Sequence, residues 1–94
     1  MATRQMIKKA FRLHGRVQGV GFRWWTQRTA TGLGLRGWVR NRADGSVDVV
    51  VAGSEESVAE MGSRLQDGPR SARVERIEEV EPPDSVPSGF EIAH

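Results

Sequence analysis

The sequence predicts an α+β sandwich in which one antiparallel sheet of four or five strands carries two helices on one face. Three observations predict it. Apolar residues recur at every second position in several short stretches and at helical spacing in two longer ones. These stretches alternate in the order βαββαβ, with a possible fifth strand. Gly, Pro and Asp-Gly signals fall between them, where the chain must turn.

Residues 7–14 (IKKAFRLH) put Ile7, Phe11 and Leu13 on one parity and Arg12 and His14 on the other, as a half-buried strand requires. From Phe22 to about Leu33, Phe22, Trp25 and Leu33 fall near one helical face, with Thr29 filling the gap, and Gly32 and Gly34 supply the stop. LRGWVRN alternates Leu35, Gly37 and Val39 against Arg36, Trp38 and Arg40, and Asp44-Gly45 then signals a hairpin into SVDVVVAG. Ser54 is a good N-cap, Glu55 and Glu56 meet the positive end of the helix dipole, and Val58, Met61 and Leu65 follow at helical spacing until Gly68-Pro69. In SARVERIEEVE the spacing of Val74, Ile77 and Val80 suits a bulged strand as well as a helix; a strand is expected. PPDSVP is a loop, and GFEIA offers Phe90 and Ile92 as the inward parity of a short last strand. Residues 1–6 (MATRQM) are expected to be loose.

This order is the split-βαβ, ferredoxin-like arrangement. Each βαβ crossover returns the chain to its starting side, so strands one and two share a direction and their carboxyl ends lie at one edge. The loop GRVQGVGFR, Gly15 to Arg23, thereby becomes a neighbour of Arg40-Asn41-Arg42.

The 94 residues suffice for one core and not for two, so residues 1–94 are expected to form a single domain. No stretch is long and apolar enough to span a bilayer, and the N-terminus lacks the apolar run of a secretory signal. The expected setting is the cytoplasm, with no membrane partner and a monomer as the default. A chain without cysteine has no disulfide, thiolate nucleophile or cysteine-held metal, and the separated His14 and His94 suggest no metal site. The net charge of +2 hides an asymmetry: residues 1–42 hold ten Lys/Arg and no Asp/Glu, residues 43–94 four against twelve. Most of these charges are explained by solvated surfaces that attract each other in the fold. The sharper explanation is an anionic ligand, a phosphate-bearing metabolite or a nucleic acid, bound by the first half.

A glycine-rich turn between a strand and a helix lets successive backbone N–H groups converge without Cβ obstruction, and the helix N-terminus adds unpaired N–H groups of its own. Arg23, at the first helical turn, can supply a planar fork for two phosphate oxygens. The loop fits neither the dinucleotide fingerprint nor the Walker pattern, and a tight turn beside a solvated arginine is its plainer explanation. Asn41 shares the parity of Leu35 and Val39, so its amide projects at the sheet edge toward the loop. An amide both accepts and donates, and can aim a water at an electrophile while remaining a poor base. An isolated asparagine there would more often make an Asx turn before Ala43-Asp44-Gly45.

GRVQGVGFR, then Gly32-Leu33 with Leu35 to Asn41 as an approximate GLxGWVRN, then DGSV and a strand ending in Gly53, together resemble the acylphosphatase family in order and spacing over about residues 9–81. The resemblance implies a ferredoxin-like sandwich that hydrolyses acyl phosphates to carboxylate and inorganic phosphate without metal or cofactor. It also implies that Arg23 binds the phosphoryl group, that Asn41 positions the attacking water, and that the backbone of Val17, Gln18, Gly19, Val20, Gly21 and Phe22 cradles the phosphate. Trp24 and Trp25 depart from the smaller aromatic or aliphatic residues more usual in the family. Core packing is the commoner role for both, with Trp25 expected in the core and Trp24 near the site rim.

Two other functions compete. Trp38 with Arg36, Arg40 and Arg42 forms an aromatic and basic stripe suited to single-stranded RNA. Against it, strand one offers only Arg12 and His14 on that face, and pairing of the arginines with Glu75 or Glu78 across the sheet is the ordinary explanation. The other is a non-catalytic accessory module, which an intact Arg23 and Asn41 in so short a chain disfavour.

Overall fold

The computed structural model describes residues 6–94. Its elements follow the order β1(Met6–Arg16) α1(Phe22–Gly32) β2(Arg36–Asn41) β3(Val47–Ser54) α2(Glu55–Asp67) β4(Arg73–Val80) β5(Phe90–Ala93). The expectation of a loose N-terminus lies outside the described residues except at Met6, which begins β1 opposite Ser54 of β3.

The five strands form one sheet in the order β4-β1-β3-β2-β5. The sheet is mixed rather than wholly antiparallel, because β5 pairs parallel to β2. The physical reason lies in the β4–β5 connection. It must carry the chain from one sheet edge to the other, and it does so at the end where Lys8 Nζ donates to the carbonyls of Pro83 and Asp84 at 2.9 and 2.6 Å. The chain therefore enters β5 beside the start of β2, where Gly37 N–H donates to the Gly89 carbonyl, and can only run alongside it.

Val47, Val49 and Val51 of the central strand face the helices and pack with Leu13, Val39, Phe22, Val58, Met61 and Leu65 in one core. Burying aliphatic side chains of this size contributes roughly 1.5–3 kcal/mol each. Helix α2 begins as its sequence predicts, with Ser54 Oγ accepting from Ser57 N–H at 3.2 Å and Glu55 and Glu56 in the first turn. Strand β4 pairs with β1 through an irregularity between His14 and Gly15. A Cβ at Gly15 would meet the Arg73 carbonyl and the Glu75 N–H, so only glycine admits β4 this close where β1 turns into the loop.

The opposite sheet face carries no helix, yet Asp48, Val50 and Ala52 of β3 are buried there. Their cover is the neighbouring side chains: register sets Asp48 between Arg12 and Arg40, and Val50 between Ala10 and Trp38. At the sheet edge His14 Nε2 lies 2.8 Å from Glu78 Oε1, and that bond, helped by Arg76, holds the Glu78 carboxyl below its ordinary range.

Candidate active site

Because β1 and β2 are both antiparallel to β3, they run the same way, and their carboxyl ends meet at one edge. The edge forms a cleft of about 300 Å³ lined by the loop, the start of α1, the end of β2 and the residues ending β5. Val17 and Phe22 line it and are also core residues, so the loop is pinned at both ends by apolar burial.

Between those anchors the backbone departs from ordinary conformations. Gly19 and Gly21 adopt φ of 73° and 75°. A Cβ at either would meet no protein atom, so the left-handed backbone is what demands glycine. Gly21 is also the N-cap of α1; no side chain caps this helix and its first turn holds no acidic residue. Among the described residues no backbone N–H of residues 17–21 donates to a backbone carbonyl outside regular elements. Unpaired N–H groups, a helix dipole and local concavity together favour an anion.

Two tethers fix the loop. Gln18 Nε2 donates to the Arg42 and Ser46 carbonyls at 2.8 and 2.9 Å, joining the loop to the β2–β3 hairpin. Ser71 Oγ donates to the Val20 carbonyl at 2.7 Å, joining it to the segment before β4. The Gln18 side chain is thereby committed to protein, which leaves its backbone for any ligand.

Arg23 and Asn41, predicted from α1 and β2, both line the cleft. Asn41 Oδ1 is buried without a hydrogen-bond partner, one of three such side-chain atoms among the described residues. A buried acceptor left unpaired costs about 1–3 kcal/mol and suits a ligand or water that can donate. The Asx turn expected of an isolated asparagine belongs to Asp44 instead, whose Oδ1 accepts from Ser46 N–H at 3.0 Å and from Ser46 Oγ.

Two wall residues escaped the sequence reading. His94 Nδ1 lies 3.4 Å from Arg23 Nη1, and Ile92 joins it in the lining. Parallel pairing of Arg40 with Ala93 explains both, since it carries the chain after β5 to the edge where β2 ends. Trp25 packs against the core, its ring 5.6 Å from that of Phe22, but core packing does not extend to Trp24, which is 57% exposed at the cleft. The first helical turn offers one core direction, and Phe22 and Trp25 occupy it. Among the described residues no three His, Asp or Glu side chains gather in a metal-binding arrangement, and no helix is long and apolar enough to cross a membrane.

The basic stripe is paired otherwise than expected. Asp48, not Glu75 or Glu78, receives Arg12 Nε at 2.8 Å and Arg42 Nη1 at 3.2 Å, with Arg40 Nη2 at 3.9 Å. The reason is strand order: β3 lies between β1 and β2, while β4 lies beyond β1. The bond to Asp48 holds the Arg12 guanidinium still further above its ordinary pKa. Arg40 also stacks on Trp38, 4.9 Å from the ring centroid, while Arg36 on the same face stays exposed.

Comparison with known proteins agrees with this geometry. The acylphosphatase family model matches residues 9–92. An acylphosphatase of Rhodopseudomonas palustris is 58% identical over 73 residues, 77% of this chain and 74% of the relative. One from Pasteurella multocida is 51% identical over 80 residues, 85% of this chain and 89% of the relative. The crystal structure of acylphosphatase from Bacillus subtilis superposes with a TM-score of 0.84 at 30% identity, covering 96% of this chain and all (100%) of that one. HypF from T. kodakarensis carries a similar module, with a TM-score of 0.81 and 34% identity, but this chain covers only 12% of its length. The match spans both the loop and the end of β2, and the chain belongs to the acylphosphatase family, enzymes that hydrolyse acyl phosphates to carboxylate and phosphate.

Proposed function

We propose that Arg23 and Asn41 carry this hydrolysis between them, with the backbone of residues 17–22 as the phosphate cradle and no metal. The observation that supports this most directly is the convergence of an uncapped helix N-terminus, a guanidinium and a buried, unpaired amide oxygen on one cleft.

The phosphoryl group of an acyl phosphate carries its charge on oxygens that the loop N–H groups and the Arg23 fork can neutralise. Water donates one O–H to Asn41 Oδ1, which fixes its lone pair toward phosphorus. Attack forms the new P–O bond as the P–O bond to the acyl group breaks, and the electron pair leaves on the carboxylate. The water's proton passes to a phosphoryl oxygen of the substrate, so no side chain need act as base. A carboxylate is a good leaving group, and positioning with charge stabilisation meets most of the barrier.

The working form is proposed to be a monomer of one domain in the cytoplasm, where carboxylates are activated by phosphorylation. Sedimentation of the purified chain checks the oligomeric state.

The test is hydrolysis of benzoyl phosphate with a chelator present, comparing wild type, Asn41→Ala and Arg23→Ala. Asn41→Ala is expected to lower kcat at least about 100-fold while inorganic phosphate still inhibits at its former concentration. Arg23→Ala is expected to lose phosphate affinity as well. An Asn41→Ala enzyme with near-normal kcat overturns the role given to Asn41.

A further inference from the structure

Trp24 is left unexplained by the fold and by the phosphate site. It is 57% exposed, one of two exposed large hydrophobic residues among those described, and the other, Met6, lies at the far end of β1. It stands in the first turn of α1 directly after Arg23, and its side chain lines the same cleft as Arg23 and Asn41. The core does not hold the ring. Arg28 does: one helical turn on, its guanidinium lies over the indole, 4.7 Å from the ring centroid. Arg28 thus covers part of the indole, and a large aromatic surface beside the proposed phosphate cradle stays open to a ligand. Ile92, half-buried at the end of β5, adds a second apolar wall.

We infer that Trp24 forms an acyl-group subsite that favours aromatic acyl phosphates over small aliphatic ones. This deepens the proposed function and rests on it, since the acyl group can reach Trp24 only if the phosphoryl group sits in the loop beside Arg23. Every acyl phosphate presents the same phosphoryl end to that loop, so discrimination must come from what the acyl end touches. An indole with one face occupied by Arg28 presents its remaining surface to a flat, apolar group, and an aromatic acyl ring gains both area burial and offset stacking there. An acetyl group is too small to use it. The benefit is binding rather than chemistry, because the ring lies outside the transferring phosphoryl group and should act alike in ground and transition states.

The experiment measures KM and kcat for benzoyl phosphate and acetyl phosphate, and inhibition by inorganic phosphate, in wild type, Trp24→Ala and Trp24→Phe. Trp24→Ala is expected to raise KM for benzoyl phosphate roughly 3- to 10-fold, the size of one aromatic contact. It should leave kcat, the acetyl phosphate KM and phosphate inhibition within about twofold, and Trp24→Phe should recover most of the loss. Unchanged phosphate inhibition also reports an intact fold. Equal effects on both substrates, or none on either, overturn the aromatic subsite while leaving the proposed function standing. A wild type that turns over neither substrate overturns that function and this inference with it.

Discussion

Gln18 reaches out of the loop to the Arg42 carbonyl, one residue beyond Asn41, with a donor–acceptor distance of 2.8 Å, and its other amide hydrogen goes to the Ser46 carbonyl. One side chain therefore couples the glycine-rich loop, the proposed phosphate cradle, to the strand end that presents the Asn41 amide. The proposed mechanism needs those two parts held in a fixed relation, because in-line attack tolerates little misplacement.

Replacing Gln18 with Ala is expected to lower stability by about 1–2 kcal/mol through two lost hydrogen bonds, while the Arg42 carbonyl keeps the Gly45 N–H and the Ser46 carbonyl the Arg42 N–H. The kinetic loss should exceed that of an ordinary surface change of equal stability cost: KM for benzoyl phosphate rises and kcat falls together, as the cradle drifts from Asn41. Urea unfolding and steady-state kinetics on the same preparation check it. A variant destabilised as expected but kinetically normal would mean that the tether serves the fold alone.

Asp48 is the other hub. It is 6% exposed on the helix-free face, and three arginines from β2 and β1 or the turn after β2 lie within 4 Å of its carboxylate. Asp48→Asn keeps the shape and removes the carboxylate that Arg12, Arg40 and Arg42 share, leaving Asp44, 3.8 Å from Arg42 Nε, to offset only part of their repulsion. The melting temperature should fall by roughly 5–10 °C at low salt, and the gap to wild type should narrow as salt screens the arginines. A salt-independent gap would assign the loss to hydrogen bonding instead.

These two hubs differ in how far the sequence discloses them. The strands and helices were legible because their signals are local: Ser54 caps α2, Asp44-Gly45 turns the hairpin, and alternation marks β2. The meeting of Arg23 with Asn41 was legible too, since topology alone brings the ends of β1 and β2 to one edge. Partnerships across the sheet were not. Asp48 in SVDVVVAG reads as an ordinary polar interruption until strand order sets β3 between the two arginine-bearing strands. His94 and Ile92 reach the cleft only because the four-residue β5 adds parallel to β2, and FEIA has no feature that states its direction. The two tryptophans, by contrast, were legible: helical spacing sets Trp25, three residues after Phe22, toward the core and Trp24 away from it at the cleft rim.

The hairpin turn gives a pH-dependent test. Hydrogen bonds from Ser46 Oγ and then Ser46 N–H hold the Asp44 carboxyl below its ordinary pKa, with Arg42 adding a smaller pull. A carboxyl whose pKa is lower folded than unfolded contributes stability that is fully present above the unfolded value and lost as pH falls through the folded one. Asp44→Asn should therefore show a lower urea midpoint than wild type, by a constant gap between about pH 5 and 8 that closes below about pH 4. A gap that persists in strong acid would trace to the turn's geometry and not to charge.

Arg23→Lys separates charge from shape at the phosphate site. Lysine keeps the positive charge beside the loop, so electrostatic attraction of the anion survives in part. It loses the planar fork, and its single ammonium cannot span two phosphoryl oxygens at fixed spacing. It also loses the second nitrogen that leaves the guanidinium able to meet His94 while facing the cradle; Nη1 of Arg23 already lies 3.4 Å from His94 Nδ1. Two effects then act in the same direction. Phosphate inhibition should weaken by about tenfold or less, since one charge-assisted contact remains. Turnover of benzoyl phosphate should fall further, about 100-fold in kcat/KM, because the lost contact matters most when charge spreads over the equatorial oxygens in the transition state. The comparison of the two losses is the diagnostic quantity. Equal losses would make Arg23 a binding residue alone, and a larger loss in kcat/KM than in phosphate affinity assigns it to the transition state.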